Sequence, residues 1–99
     1  MANQPIEMAQ VHGWLVHHQR PAMTARGWRS AIQGTPGFPD LVLCGGPGSS
    51  NLLIWELKTE AGSVTNEQDC WLHYLQDAGI EARIIRPSDL DWARERLAR

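Results

Sequence analysis

Three charged residues in the middle of the sequence have the types and spacing that phosphodiester chemistry requires. Asp40 opens the apolar run Asp40–Cys44, directly after Gly-Phe-Pro, while Glu56 and Lys58 close the run Leu52–Lys58. Alternate side chains of a strand share a face, so we expect Glu56 and Lys58 to point the same way, roughly 6.6 Å apart. If the two strands pair, Asp40 and Glu56 converge at one edge of the sheet.

Two carboxylates and a neighbouring backbone carbonyl are hard oxygen ligands, which suit Mg²⁺ or Mn²⁺. Asp40, Glu56 and the carbonyl of Leu57 would supply this set. A bound ion can polarise a phosphodiester, activate water and stabilise the leaving oxygen. Lys58 would position or deprotonate the attacking water, or neutralise charge in the transition state. The three residues therefore predict metal-dependent phosphodiester hydrolysis.

The same residues also have structural explanations. A Glu-x-Lys pair on a strand is, by itself, more often a solvated ion pair than a catalytic pair. Asp40 after Pro39 is, by itself, an ordinary turn residue. The apolar run before Glu56 and the presence of both acidic residues favour the chemical interpretation, because a charge facing the core is costly without a role.

The elements that must position these residues follow from hydrophobic spacing and from cap and turn residues. Pro5 suits the first turn of a helix, and Thr65-x-x-Gln68 is a capping box that opens another helix, which Gly79 ends. The predicted elements are a helix over Pro5–Gln19, strands over Trp28–Ile32, Asp40–Cys44 and Leu52–Lys58, a helix over Thr65–Ala78 with Trp71, Leu72, Leu75 and Ala78 buried, a strand over Glu81–Arg86, and a helix capped by Ser88–Asp91. The two central strands form a hairpin, and Leu52–Lys58 is covered on both faces.

Length and composition indicate a single small α/β domain over residues 1–99. A hydrophobic fraction of 42% and a charged fraction of 20% are those of an ordinary globular protein. The N-terminus lacks a signal-peptide pattern, no stretch could span a bilayer, and Cys44 and Cys70 form no disulfide framework, so we expect an intracellular, cytoplasmic protein.

The charge balance neither excludes nor favours the binding of nucleic acid. The net charge of −2 and the pI of about 6.0 do not indicate a basic surface, although carboxylates that bind ions account for part of the acidity. Five arginines are candidate phosphate contacts, although each by itself is more often a solvated surface charge: Arg20, Arg26, Arg29, Arg83 and Arg86. The four histidines lack zinc spacing.

Taken in order, Gly37-Phe-Pro-Asp40, Glu56-Leu-Lys58 and Gln68 resemble the active-site signature of the PD-(D/E)xK nuclease superfamily. More narrowly, the set resembles the VRR-NUC branch, the virus-type replication-repair nuclease domain. Members of that branch begin with a glutamate on the first helix, which Glu7 matches. The resemblance spans about Ile6 to Arg86; Glu-x-Lys alone is a weak signal, but the ordered set is a strong one.

The resemblance implies a restriction-endonuclease-like αβββαβ core, with a mixed sheet flanked by helices. It implies a Mg²⁺ or Mn²⁺ site formed by Glu7, Asp40, Glu56 and the Leu57 carbonyl, with Lys58 catalytic. Gln68 would lie beside Lys58 as a further site residue. Because Gln68 is also the expected partner of Thr65 in the capping box, its structural and functional explanations both stay open.

Stand-alone viral members of this branch are similar to Holliday-junction resolvases and work as homodimers, so the resemblance implies branched DNA and a second copy as partners. The location would then be a host cell. Two other classes compete: a nuclease-like module that binds DNA or protein without cutting, and a subunit of a larger replication or repair assembly. The intact set of Asp40, Glu56 and Lys58 argues against a pure binding module.

Overall fold

A computed structural model describes residues 3–19, 22–24, 27–29 and 34–99, with backbone alone for 22–24 and 27–29. The elements, in chain order, are α1 (Asn3–Val11), β1 (Trp14–His18), β2 (Ala22–Thr24), β3 (Gly27–Arg29), β4 (Leu41–Gly45), β5 (Asn51–Leu57), α2 (Asn66–Asp77), β6 (Glu81–Ile85), a 3₁₀ turn (Pro87–Asp89) and α3 (Leu90–Ala98). No helix in the described part of the chain has the length and apolar character needed to cross a membrane.

Four strands form one mixed sheet in the order β1-β4-β5-β6. β4 is antiparallel to β1 and β5, whereas β5 and β6 are parallel. A parallel pair needs a crossover connection, and α2 provides it. The strands β2 and β3 form a separate antiparallel pair. Apart from that pair, α1, β1, β4, β5, α2 and β6 follow the expected αβββαβ order.

Helices cover the sheet from both sides. On one side, Ala9 of α1 and Ala93 and Leu97 of α3 pack against the sheet. The strand residues in this core are Trp14, Leu41, Leu43, Leu53, Trp55 and Ile85. On the other side, Leu72 of α2 packs against Ile54 and Ala82. The central strand β5 is buried from Leu53 to Glu56, which confirms that both of its faces are covered.

The prediction of one helix over Pro5–Gln19 is wrong beyond Val11. Gly13 has a φ of +82°, a conformation that favours glycine, and it separates α1 from β1. Trp14 then begins an edge strand that pairs with β4, and its indole N–H donates to the Leu97 carbonyl at 2.8 Å. The sequence spacing fitted a helix, but burial in this segment alternates residue by residue, as in a strand.

Three further predictions need correction. The strand near Trp28 is β3, which begins at Gly27 and ends at Arg29, and Ile32 lies outside the described residues. In α2, Leu72 is buried but Ala78 is exposed. Ser88 does not cap the last helix, because its hydroxyl and N–H both donate to the Glu60 carboxylate.

The capping box is confirmed. The Thr65 hydroxyl accepts the Gln68 N–H at 3.1 Å, and the Gln68 side-chain oxygen accepts the Thr65 N–H at 3.0 Å. Gly79 has a φ of +84° just after the helix, as expected for its C-terminal end. This local chemistry fixes where α2 begins.

Candidate active site

Asp40 and Glu56 lie together at one end of the β4–β5 hairpin. The register pairs Leu41 with Trp55, so one residue further along each strand Asp40 lies opposite Glu56. Both belong to the strand face that carries Ile54 and is covered by α2. A carboxylate oxygen of Asp40 accepts the Leu57 N–H at 3.1 Å. The structure therefore brings these two predicted site residues together.

Proline explains why the β4–β5 ladder stops here. Continuing the register places Pro39 opposite Leu57, and Pro39 is buried. Since proline has no N–H, it cannot donate to the Leu57 carbonyl, and the Asp40 side chain takes the Leu57 N–H. The pairing thus leaves the Leu57 carbonyl without a donor from β4, next to the Asp40 carboxylate.

The approach loop, Gly34–Pro39, is held against the first turns of α2. Gly37 has a φ of +101°, and a Cβ there would lie 2.6 Å from the backbone carbon of Glu67, so this close approach requires glycine. The Trp71 indole donates to the Thr35 carbonyl at 3.2 Å, and its ring meets Phe38 edge-on at 5.0 Å. Trp71 therefore holds this loop, a role that sequence reasoning missed.

Glu56 is the most buried charged group of the site, with 2% of the residue exposed. One of its oxygens accepts the Gln68 side-chain N–H at 3.2 Å and lies 3.9 Å from the Lys58 ammonium. The other oxygen, Oε1, is buried and has no hydrogen-bond partner among the described residues. Burial, followed by the negative charge of Asp40, raises the pKa of Glu56 to about 8, and Lys58 opposes this shift.

Lys58 is the only lysine in the sequence, and its side chain is 16% exposed. The backbone N–H of Lys58 donates to the Ile85 carbonyl at 3.0 Å, which ties the end of β5 to β6. The ammonium lies on the same side of β5 as Glu56. Among the residues that the structure describes, the Lys58 ammonium is thus the positive charge beside the Glu56 carboxylate.

Gln68 combines the two roles that its sequence position left open. Its side-chain oxygen accepts the Thr65 N–H in the capping box, while its side-chain nitrogen donates to Glu56. These bonds use opposite ends of the amide group, so neither excludes the other. The helix cap orients the group that contacts the site.

Glu7 lies elsewhere in the described structure. It is exposed on α1, a helix that packs on the opposite face of the sheet from Glu56, beside a depression also lined by His12 and Arg94. Within residues 3–19 and 34–99, no group of three His, Cys, Asp or Glu side chains is placed to hold a metal ion. The metal role of Glu7 stays a prediction that no contact supports.

The remaining donors nevertheless fit a divalent cation. Asp40 lies opposite Glu56 and accepts the N–H of Leu57, whose carbonyl is a further oxygen donor on the neighbouring residue, and Oε1 of Glu56 lacks a partner among the described residues. A cation would offset both the burial and the repulsion from Asp40 that raise the Glu56 pKa. Mg²⁺ usually keeps several waters and binds one or two carboxylates, so a set of this size suffices.

The arginines proposed as phosphate contacts fall into two groups, those whose side chains the structure describes and those whose side chains it does not. The Arg83 guanidinium lies over the Trp92 ring at 3.9 Å, and Arg86 donates to backbone carbonyls. Arg20 and Arg26 lie outside the described residues, and the side chain of Arg29 is not described. Of the arginines proposed as phosphate contacts, the two whose side chains are described are engaged within the protein.

A comparison with models of known protein families shows which family this chain belongs to. The family model of the VRR-NUC domain matches residues 8–89. This chain belongs to the VRR-NUC family. Searches among curated proteins and among solved structures gave no match.

Membership confirms both the suspected family and the restriction-endonuclease-like fold. A VRR-NUC domain is a nuclease domain, and a nuclease domain binds DNA. The matched range contains Asp40, Glu56, Lys58 and Gln68, and it begins one residue after Glu7.

Proposed function

We propose that this VRR-NUC protein is a Mg²⁺- or Mn²⁺-dependent DNA endonuclease whose ion is held by Asp40, Glu56 and the Leu57 carbonyl. The observation that carries the proposal is the state of Glu56. It is buried beside a second carboxylate, has an oxygen without a partner and has a pKa raised to about 8. A charge placed so unfavourably for stability indicates a functional site.

The surrounding residues keep these groups in place. The Leu57 N–H fixes one oxygen of Asp40, and the Gln68 amide fixes one oxygen of Glu56. The free oxygens therefore have defined positions before any ligand arrives. When bound, the ion would polarise the scissile phosphate and activate water.

Lys58 supplies the positive charge of the site. Its ammonium has three donors and lies near Glu56, where it can hold the attacking water or an oxygen of the phosphate. Negative charge grows on the phosphate oxygens during hydrolysis, and a fixed ammonium stabilises it. Partial burial strengthens this interaction, because water screens it less.

Glu7 is proposed as a further metal ligand only because members of the family have a glutamate on the first helix. Its helix lies on the other face of the sheet, so it would have to reach the site around the sheet edge or through water. Glu7→Gln should therefore affect cleavage much less than the same change at Glu56. A loss as large as that of Glu56→Gln would place Glu7 in the site.

Branched DNA and a homodimer complete the proposal. A two-fold dimer would supply one active site for each strand of a junction. An uncovered apolar row supports this assembly: Leu15, Cys44 and Leu52 are paired across β1, β4 and β5. Leu15 is 75% exposed and Leu52 is 39% exposed, and large exposed apolar residues often mark an interface.

Cleavage of a labelled four-way junction in Mn²⁺ or Mg²⁺ tests the function, with a flap and a linear duplex as competing substrates. Asp40→Asn and Lys58→Met should each lower the cleavage rate by about 10³-fold. Asp91→Asn is the matched control, because this carboxylate is exposed on α3. Wild-type protein that binds the junction without cutting it would favour the binding-module class. Cutting that survives Asp40→Asn would remove the proposed site.

Light scattering after size exclusion tests the assembly. We expect the mass of a dimer for the wild type and of a monomer for Leu15→Asp. A wild-type monomer at micromolar concentration would contradict the dimer but would leave the active site intact.

A further inference from the structure

The side chain of Arg86 is committed to the turn that follows Lys58. Its Nη1 donates to three backbone carbonyls, those of Thr59 at 2.6 Å, Glu60 at 3.2 Å and Gly62 at 2.8 Å. These carbonyls belong to the Thr59–Gly62 turn, and because Nη1 carries two N–H groups, one of them is shared between two of the carbonyls. Arg86 therefore fixes the turn as a unit.

Both ends of this contact are anchored. Arg86 is held by Asp89, whose carboxylate accepts the Arg86 N–H and whose own N–H donates to the Arg86 carbonyl, both at 2.8 Å. The turn is held a second time, because the Glu60 carboxylate accepts the N–H and the hydroxyl of Ser88. The turn is thus bound to residues 86–88 on two sides.

The Thr59–Gly62 turn begins at the residue after Lys58 and folds back near its side chain. Even a Cβ built on Gly62 would come no closer than 3.6 Å to Cδ of Lys58, so the turn constrains the lysine mainly through the backbone that they share. The Lys58 N–H is bound to Ile85, the residue before Arg86. The ammonium at the end of this stem lies 3.9 Å from Glu56, within the range of an ion pair but without a hydrogen bond to hold it.

We infer that Arg86 is a positioning residue for Lys58: it clamps the Thr59–Gly62 turn, which begins at the next residue, and so fixes the backbone from which the lysine side chain extends toward Glu56. Its effect on cleavage rests on the proposed function, whereas its effect on the position of Lys58 does not. The competing role is direct contact with a DNA phosphate. The contacts favour positioning, because the turn carbonyls already occupy Nη1.

The single lysine allows a direct test by NMR. Lysine labelled with ¹³C and ¹⁵N gives one side-chain spin system, that of Lys58. In Arg86→Met, its Cε and Nζ signals should move toward their positions in the urea-unfolded chain. Arg83→Met is the matched control, because Arg83 lies on β6 but stacks on Trp92, and it should leave the signals unchanged.

A second variant covers the case in which Arg86→Met does not fold. Glu60→Ala releases the exposed side of the turn from Ser88, and it should move the Lys58 signals in the same direction by a smaller amount. Lys58 signals that stay at wild-type positions in a folded variant would overturn the inference, whether or not the protein cuts DNA.

Steady-state kinetics on the junction separates positioning from phosphate contact. Positioning predicts that Arg86→Met lowers kcat by up to about 100-fold with KM unchanged, because misplacement of a reacting group by about 1 Å has such effects. A raised KM, an unchanged kcat and a smaller salt dependence of binding would instead show a phosphate contact and overturn the inference. Arg94→Met should leave kcat at the wild-type value, because Arg94 is exposed on α3 and pairs with Asp91.

Discussion

Glu56 and Glu81 lie on the neighbouring strands β5 and β6, and their surroundings shift their pKa values in opposite directions. Glu81 faces the guanidinium of Arg96, which binds both of its oxygens at 2.6 and 3.1 Å and lowers its pKa. Glu56 faces a second carboxylate in a buried place, which raises its pKa to about 8. The surroundings of Glu56 disfavour its ionised form, whereas the surroundings of Glu81 stabilise its ionised form.

The Arg96 cluster is complete without a ligand. Arg96 is 8% exposed, pairs with Glu81 and also donates to the Asn51 side chain at 3.4 Å. Its guanidinium lies 5.8 Å from the Trp14 ring. The cluster joins α3 to the starts of β5 and β6, which is a structural role.

We propose that the Glu56 cluster, by contrast, is completed by a bound cation. It brings two carboxylates together with one ammonium and leaves a buried oxygen without a partner. The clusters differ in their charges: in the first, a guanidinium and a carboxylate neutralise one another, whereas in the second, two neighbouring carboxylates repel one another, which is why we propose a cation there.

The largest expected difference between the clusters is in cleavage. Asp40→Asn should lower the rate on a four-way junction by about 10³-fold, because it removes a ligand and a charge from the site. Glu81→Gln should leave the rate per folded molecule unchanged. Initial rates in Mn²⁺, divided by the folded fraction from circular dichroism, measure both. Equal losses of cleavage rate in the two variants would contradict a functional difference between the Glu56 and Arg96 clusters.

The same substitution should change stability with opposite signs at the two glutamates. Glu81→Gln leaves a nearly buried guanidinium without its counter-charge, but the Glu81 side chain is 46% exposed and solvent screens the pair, so the cost should be about 1 kcal/mol. Glu56→Gln removes a buried charge that repels Asp40 and should stabilise by about 2 kcal/mol at pH 8 without metal. Urea unfolding in EDTA measures both. A destabilising effect of Glu56→Gln under these conditions would contradict the raised pKa.

Stability should also fall with rising pH because of Glu56. Between its unfolded pKa, near 4.5, and its folded pKa of about 8, the native state holds a proton that the unfolded state has lost. The free energy of unfolding therefore decreases over this window, by up to about 1.4 kcal/mol per pH unit from this group.

The difference between wild type and Glu56→Gln across pH 5 to 8 isolates the contribution of Glu56 from those of other groups. Glu81 acts in the opposite sense, since its lowered pKa adds stability that is lost only as the pH falls through that value. Parallel pH profiles for wild type and Glu56→Gln would show that Glu56 titrates normally.

The smallest expected effect separates the two roles of Gln68. Thr65→Ala and Gln68→Ala each break the capping box and should each cost about 1 kcal/mol. Of the two, Gln68→Ala also removes the donor to Glu56, so it alone should lower kcat. Thermal unfolding and junction cleavage give the two readouts. A kcat unchanged in Gln68→Ala would leave Gln68 with the helix cap alone.

The sequence predicted those parts of the fold that depend on neighbouring residues. The capping box at Thr65 is local chemistry, and the continuous apolar run of β5 predicted its central place. The convergence of Asp40 with Glu56 followed from the pairing of two adjacent strands. Each of these needs little knowledge of distant contacts.

What the sequence did not predict depends on distant contacts. Val11, Trp14 and His18 fit helical spacing, and the strand begins at Trp14 because β4 is there to pair with it. The bonds from Arg86 to the Thr59–Gly62 turn join segments that no sequence period relates. The place of Glu7 depends on how α1 packs against the sheet.

A manganese anomalous-difference map from crystals grown or soaked in Mn²⁺ at pH 8 tests the central claim most directly. We predict a peak bound by the Asp40 and Glu56 carboxylates and the Leu57 carbonyl, and no such peak in Asp40→Asn. Two results would contradict the account. One is an ion bound elsewhere, and the other is a crystal saturated with Mn²⁺ that shows no peak between these carboxylates.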